Sequence, residues 1–287
     1  AKIATKQKAG SIEQLNGMLS FIDSVNLQNR KRMLPLEDRT KDLGPAEAPD
    51  SFDRLYRRFL FFKHFFVSSN PIVVCEGKTD NIYLQCAIRS LAKDYPKLAD
   101  TDAKGKVKRK LSLFRRTHTT DRILGLSGGT AQLIDFLKEY QAEQRALKAP
   151  IKPHPTILLI DNDHGAKKAK GIYKYLGNKM KLPSEPDGSA PFYCPAENLY
   201  VVATPPLHNA KSSAIEDFFP KHILETKLGG KSFNPKNEGL DLKTEYGKSH
   251  FATHVVKKNE ATIDFTGFKS ILDRLVAVIE HHSGVAT

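Results

Sequence analysis

Two stretches of the chain carry acids in arrangements that chemistry can use. The apolar run Thr156-Ile157-Leu158-Leu159-Ile160 ends in Asp161-Asn162-Asp163. Two carboxylates two residues apart on an extended segment can share one divalent ion or hold two neighbouring ones. A second apolar run, Ile72-Val73-Val74-Cys75, leads into Glu76-Gly77-Lys78-Thr79-Asp80. There Gly77 permits a sharp turn between the acid at the strand tip and the acid in the first turn of a following helix. Each pattern also has an ordinary reading. Asp-x-Asp occurs in solvated turns, and Thr79 and Asp80 suit a helix cap. A phosphatase with an aspartyl nucleophile would want Thr or Val two residues beyond the second Asp, where Gly165 stands. His164 beside the pair reads as solvated or supporting.

The charge balance gives these acids their interest. Among 287 residues, 45 Lys and Arg stand against 32 Asp and Glu, a net charge of +13 and a pI near 9.5. Such an excess usually meets a polyanion, and nucleic acid is the first expectation. Clustered acids in a chain built to attract phosphates make sense if a cation sits among them. Cys75, Cys86 and Cys194 form no Cys-x-x-Cys pair, which excludes a disulfide scaffold and disfavours a zinc ribbon. No apolar run approaches a membrane span and no signal-peptide core opens the chain. The expectation is a soluble cytoplasmic protein with no membrane partner.

The elements that must position the acids follow from periodicity. Continuous apolar runs, each feeding a helix, predict an α/β fold with a buried, mostly parallel sheet. The expected strands are 72–75, 123–126 and 156–160, with shorter ones at 192–194 and 199–203. Expected helices run over 79–94, 130–144 and 266–281, and the polar stretch 92–121 reads as a loop or insertion. Ahead of the sheet, 11–29 reads as an amphipathic helix with a capping box at Ser11 and Gln14. Residues 30–50 have linker composition, and 52–66 form a helix with an aromatic stripe (Phe52, Tyr56, Phe59, Phe62, Phe66) that suits packing better than base stacking. The division expected is a helical segment at 1–66 and an α/β domain with a C-terminal helical extension at 71–287.

Glu-Gly-Lys-Thr-Asp after one strand, Leu126-Ser127-Gly128-Gly129-Thr130 after another, and Leu158-Leu159-Ile160-Asp161-Asn162-Asp163 together resemble the TOPRIM domain of topoisomerases, primases and related nucleases. The match covers roughly residues 71–205, and implies a Rossmann-like TOPRIM fold. Downstream, Ala214-Ile215-Glu216-Asp217-Phe218-Phe219 and the basic segment containing Tyr246-Gly247-Lys248 and Phe251-Ala252 resemble the OLD-type nuclease branch. Residues 14–22, Gln-Leu-Asn-Gly-Met-Leu-Ser-Phe-Ile, resemble the thumb helix of retron and group II-like reverse transcriptases. The combination is similar to retron reverse transcriptases with a fused TOPRIM effector. It implies the C-terminal part of a longer protein, acting in antiphage defence beside a polymerase palm whose Tyr-x-Asp-Asp does not occur in this chain.

The chemistry so implied is Mg2+- or Mn2+-dependent phosphodiester hydrolysis of RNA, transfer RNA or DNA. Asp161 and Asp163 are expected as metal ligands, Glu76 as ligand or general base, Asp80 as support for the first ion and Glu216 as holder of a second. Lys248 is expected to stabilise transition-state charge. Residues 104–116 contain seven basic side chains and no acid, and read as a helical or disordered arm for phosphate contact through Lys106, Lys108, Arg109, Lys110, Arg115 and Arg116. Lys167, Lys168 and Lys170 would steer phosphates toward the metals. Gly128-Gly129-Thr130 fits either a phosphate cradle or a tight turn. Partners implied are the nucleic-acid substrate, the retron RNA–DNA product and the palm domain, with room for a homo-oligomer. Two other classes fit the composition: a catalytically silent docking module for the retron RNA or DNA, and a topoisomerase or primase.

Overall fold

Residues 72–75, 156–160 and 199–203 are buried along their whole lengths, as central strands covered on both faces must be. The computed structural model describes residues 51–126, 129–147, 153–207, 212–236 and 239–284, with backbone alone at 51, 52 and 129–131. The expected helix at 11–29, the linker at 30–50, the thumb-like residues 14–22 and the Ser127-Gly128 turn lie outside the described residues. In chain order the strands are β1 (Ile72–Cys75), β2 (Ala99–Thr101), β3 (Val107–Arg109), β4 (Ser112–Leu113) and β5 (Thr156–Ile160). Then come β6 (Tyr193–Ala196), β7 (Leu199–Ala203), β8 (Ser232–Phe233) and β9 (Glu245–Tyr246). Helices α1 (Ser51–Phe61), α2 (Asp80–Ser90), α3 (His118–Leu124) and α4 (Gly129–Ala146) are followed by α5 (His164–Lys167) and α6 (Ile172–Met180). The last are α7 (Lys221–Leu224), α8 (Lys248–His250) and α9 (Lys269–His282).

The main sheet has five strands in the order β4-β1-β5-β7-β6. All its pairings are parallel except β6 with β7. From β1 the chain steps to one side to make β4, then crosses to the other side for β5 and β7. The winding therefore reverses between β1 and β5, and a crevice opens at the carboxyl ends of strands at such a reversal. Alternate residues serve the two faces. Val73, Cys75, Ile157, Leu159, Tyr200 and Val202 join one core with Leu84 and Ile88 of α2, Phe251 and Val255, and Leu272 and Leu275 of α9. On α4, Leu133, Phe136, Leu137 and Tyr140 recur at helical spacing and are buried. The Tyr140 hydroxyl lies 2.9 Å from that of Thr156, the first residue of β5.

Two expectations are corrected here. Residues 123–126 are not the second strand: Ile123 and Leu124 are the buried face of α3. A short apolar run fits either element, and local capping decides it. Thr117 and Thr120 form a capping box, and Gly125, at φ 67°, ends the helix in the left-handed region. The turn quoted from the resemblance as Leu-Ser-Gly-Gly-Thr thus follows a helix rather than a strand. The place of that strand is taken by β4, from the stretch read as a loop, where Ser112 N–H donates to Pro71 O and Phe114 N–H to Val73 O. The rest of 92–121 is also ordered, because β2 and β3 pair as a hairpin around Gly105 (φ 78°).

The aromatic stretch 52–66 is helical, as expected, with a π turn at Phe62–Phe66. Its end belongs to the α/β core: Phe61 stacks on Phe136 at 5.6 Å, and Phe65 and Phe66 lie 5.8 and 5.3 Å from Tyr140. The chain divides between Arg57 and Arg58, inside α1. No helix among the described residues is long and apolar enough to cross a membrane. Phe65 is fully buried, so Phe65→Ala should lower the stability of the whole α/β unit by about 3–5 kcal/mol. Urea unfolding measures this directly. A change below about 0.5 kcal/mol would mean that the aromatic stretch is an appendage after all.

Candidate functional site

Neighbouring parallel strands set Glu76 and Asp161 side by side. In the β1/β5 register Cys75 faces Leu159, and the Glu76 N–H donates to Leu159 O at 2.9 Å. Each chain then leaves the sheet with an acid. The Asp161 N–H donates to Glu76 Oε2 at 3.1 Å, tying the two tips together. Asp80, in the first turn of α2, folds back so that its Oδ2 accepts the Gly77 N–H at 2.7 Å. A Cβ on residue 77 would stand 2.6 Å from Asp80 Oδ1, so any larger residue there would push that carboxylate out of its place.

Asn162, between the two aspartates, points the other way and is fully buried. Its Oδ1 accepts the Tyr173 hydroxyl at 2.9 Å, and its N–H donates to Thr204 Oγ1 at 2.9 Å. Period-two alternation then turns Asp161 and Asp163 to the opposite side from this anchor. The Ser213 N–H donates to Asn162 O at 3.0 Å, which lays the segment carrying Glu216 beside the strand tip. The Ile215 N–H donates to Asp161 Oδ1 at 2.9 Å. Glu216, in the short 3-10 turn Ile215–Phe218, is 1% exposed. Its oxygens lie 3.0 and 3.1 Å from Lys248 Nζ at the start of α8. The structure thus brings together Glu76, Asp80, Asp161, Glu216 and Lys248. Asp163 stands at the rim, exposed, with Oδ1 capping α5 through the Ala166 N–H at 2.9 Å.

The electrostatics follow from that crowding. Burial raises Asp161 to about 8, with the charges of Asp80, Glu76 and Glu216 adding to it and Lys248 opposing. Glu76 rises to about 7, first through burial, and Asp163 and Asp80 push the same way against the Asp161 N–H. Burial also raises Asp80 and Glu216. Lys248 is pulled down by its own burial, yet Glu216, Asp161 and Asp80 together hold it above its ordinary value. Negative charge in this cleft is short of counter-charge.

Among the described residues, no three His, Cys, Asp or Glu side chains are arranged to hold a metal ion as they stand. The chemistry of the donor set nevertheless fits a hard divalent cation. The donors are carboxylate oxygens alone, and like charges raise one another's pKa in the absence of a cation. The protein hydrogen bonds described above occupy one oxygen each of Glu76, Asp161 and Asp163.

The basic residues divide by location. Residues 104–110 form neither a helix nor a disordered arm but lie on the β2–β3 hairpin, where Lys106, Lys108 and Lys110 are exposed and Arg109 is half-buried. Lys110 pairs with Asp100 at 2.7 Å. Arg115 is exposed, as are Lys168 and Lys170, while Lys167 is half-buried. Arg116 is no surface contact: its side chain is 6% exposed and paired with Asp121 at 2.8 Å. The sequence reading missed Asn162 as the anchor of the aspartate pair, and missed Asp121 entirely. A buried Asn between two acids on an alternating strand was the available signal for the first.

A pH dependence follows for the metal-free protein. Below about pH 4 folded and unfolded chains both keep the carboxyl protons. Between there and the raised values of about 7 and about 8, the unfolded chain has lost protons that the folded chain retains. Stability therefore falls as pH rises through that window and levels off above it. Asp161→Asn removes one such group and keeps an acceptor for the Ile215 N–H. With a chelator present, it should stabilise the protein at pH 8 by roughly 1–3 kcal/mol relative to its effect at pH 5. Equal effects at both pH values in urea titrations would contradict the electrostatic account. No protein-family model matches the chain and no solved structure matches it, so the acidic cluster is read from its own residues.

Proposed function

We propose that the cluster at the β1 and β5 tips hydrolyses phosphodiester bonds of nucleic acid with Mg2+ or Mn2+, as a TOPRIM-type nuclease site. The observation that carries this reading is the convergence of Glu76, Asp80, Asp161 and Glu216, with Lys248 as counter-ion paired to Glu216, inside a chain of net charge +13. A basic protein gains nothing in polyanion binding from buried acids. It gains a great deal if they hold a cation against a phosphate. Two acid-bearing tips at the reversal of winding of a parallel sheet, a Glu-Gly turn on one and Asp-x-Asp on the other, support the TOPRIM reading over a docking module.

In this reading Asp161 and Asp163, supported by Asp80, would hold the first ion, and Glu216 would contribute to a second. When bound, such ions would supply Lewis-acid stabilisation of phosphoryl charge and acidify a nearby water. Glu76 acts as general base. Its Oε2 is fixed by the Asp161 N–H, which holds the carboxylate in one place for taking a proton from an attacking water. Lys248 presents its ammonium to the charge that develops on the phosphoryl oxygens. Exposed Lys106 and Lys108 on the hairpin and Lys168 and Lys170 after the aspartate pair contact backbone phosphates without base selectivity. The wider proposal is the toxic effector part of a retron reverse transcriptase in antiphage defence, cleaving RNA (transfer RNA included) or DNA. It rests on this site together with the thumb-like residues 14–22.

The test offers single-stranded RNA, transfer RNA and DNA to the full chain with Mg2+ or Mn2+. Cleavage of at least one is expected, and Asp161→Asn with Asp163→Asn should abolish it while nucleic-acid binding survives. Undiminished cleavage by that double variant would remove the site assignment. Glu76→Gln should lower turnover by about a hundredfold or more with substrate affinity nearly unchanged. Lost affinity with intact turnover would make Glu76 a binding residue instead.

A further inference from the structure

Arg116 lies where the sheet register delivers it to the site. In the parallel β1/β4 pair Ile72 faces Ser112 and Val73 faces Leu113, and the same offset carried past the strand ends sets residue 116 level with residue 76. The guanidinium uses its planar fork there on several partners. One terminal nitrogen donates to Glu76 O and the other to Leu126 O, while Nε donates to Asp121 Oδ1 at 2.8 Å. Asp121 is as deeply buried, with its side chain 5% exposed, and from outside Lys78 Nζ reaches its Oδ2 at 3.0 Å. Asp121 is held in turn by α3: its N–H donates to Thr117 O and its carbonyl accepts the Leu126 N–H at 2.8 Å.

A buried ion pair alone argues weakly for anything beyond structure, since taking both charges out of water offsets much of their attraction. The partners are what distinguish this one. Arg116 grips the carbonyl of Glu76 itself. The Glu76 side chain then holds the Asp161 N–H, and Asp161 Oδ1 holds the Ile215 N–H beside Glu216. A run of hydrogen bonds thus leads from Asp121 through Arg116, Glu76 and Asp161 to the Ile215 N–H, the residue before Glu216. Glu76 sits on a turn with Gly77 next to it, and among the described residues Leu159 is the strand partner of its backbone.

We propose that Arg116, oriented by Asp121, is a positioning residue that fixes the Glu76 main chain and through it the spacing of the acids at the two strand tips. The consequence for catalysis rests on the nuclease reading; the consequence for the backbone does not. Arg116→Lys keeps the charge and loses the fork, and Asp121→Asn keeps the shape and loses the ion pair.

The experiment is amide hydrogen exchange on the full chain, beside cleavage and nucleic-acid affinity. In either variant the amides of Gly77 and Asp161 should exchange at least about tenfold faster, while the Thr204 amide, bonded to Ile160 O, keeps its rate. Turnover should fall about 10–100-fold, with affinity for RNA or DNA within about twofold. If Arg116→Lys fails to fold, Asp121→Asn decides. Unchanged exchange at Gly77 and Asp161 would overturn the proposal. So would a loss of affinity with full turnover, which would return Arg116 to the phosphate contacts. A wild-type chain that cleaves nothing would retire the nuclease reading, and the exchange result would still decide the role of Arg116.

Discussion

Carboxylates that face one another in a cleft removed from water repel, and at the β1 and β5 tips the surrounding structure has to contain that repulsion. Buried Asp80 and Glu216 flank Glu76 and Asp161, and the side chain of Lys248 reaches Glu216 from the start of α8. Burial first, and then like charges that one ammonium cannot neutralise, raise the proton affinities of the acids. A fold under selection for stability alone would replace such a cluster with apolar side chains, since burying unpaired charge is among the more destabilising features a core can carry. Its presence at the reversal of winding, where parallel sheets bind ligands, is the physical basis for reading it as a site.

The backbone supplies much of the containment. N–H groups of Gly77, Asp161, Ile215 and Ala166 each donate to one carboxylate oxygen of the cluster or its rim, and such bonds favour the charged form without adding a formal positive charge. They also fix direction. Asn162 turned inward on Tyr173 and Thr204 forces its two neighbours outward, and the bridge from Asn162 to Ser213 brings in the turn that carries Glu216. Arg116 and Asp121 restrain the other tip. Rigid positioning of this kind matters for phosphoryl chemistry, where catalysis is almost entirely placement and electrostatics.

How far the site was legible in the sequence depended on distance along the chain. Glu76, Asp80, Asp161 and Asp163 could be read because each follows an apolar run whose length and composition identify a buried strand, and a strand tip is a defined place. Glu216 and Lys248 lie in short irregular segments with no periodicity, and only a resemblance pointed to them. Arg116 was misread because a run of basic residues looks uniform: nothing local separates Lys106, exposed on a hairpin, from Arg116, turned inward. That distinction needed the β1/β4 register, and β4 is only two residues long, too short to announce itself. The strand expected at 123–126 failed for a related reason. Its apolar residues were real core residues, but the Thr117 cap and Gly125 made them a helix.

The central claim is that the acids of the two tips lack a counter-charge that a divalent cation supplies. Titration of the metal-free full chain with Mn2+ at neutral pH, followed by the relaxation of bulk water or by the loss of free-ion paramagnetic signal, tests it most directly. The account predicts saturable binding that Asp161→Asn weakens at least about tenfold and that excess Mg2+ competes away. Absence of saturable binding at millimolar Mn2+, or binding that is the same in Asp161→Asn, would contradict it.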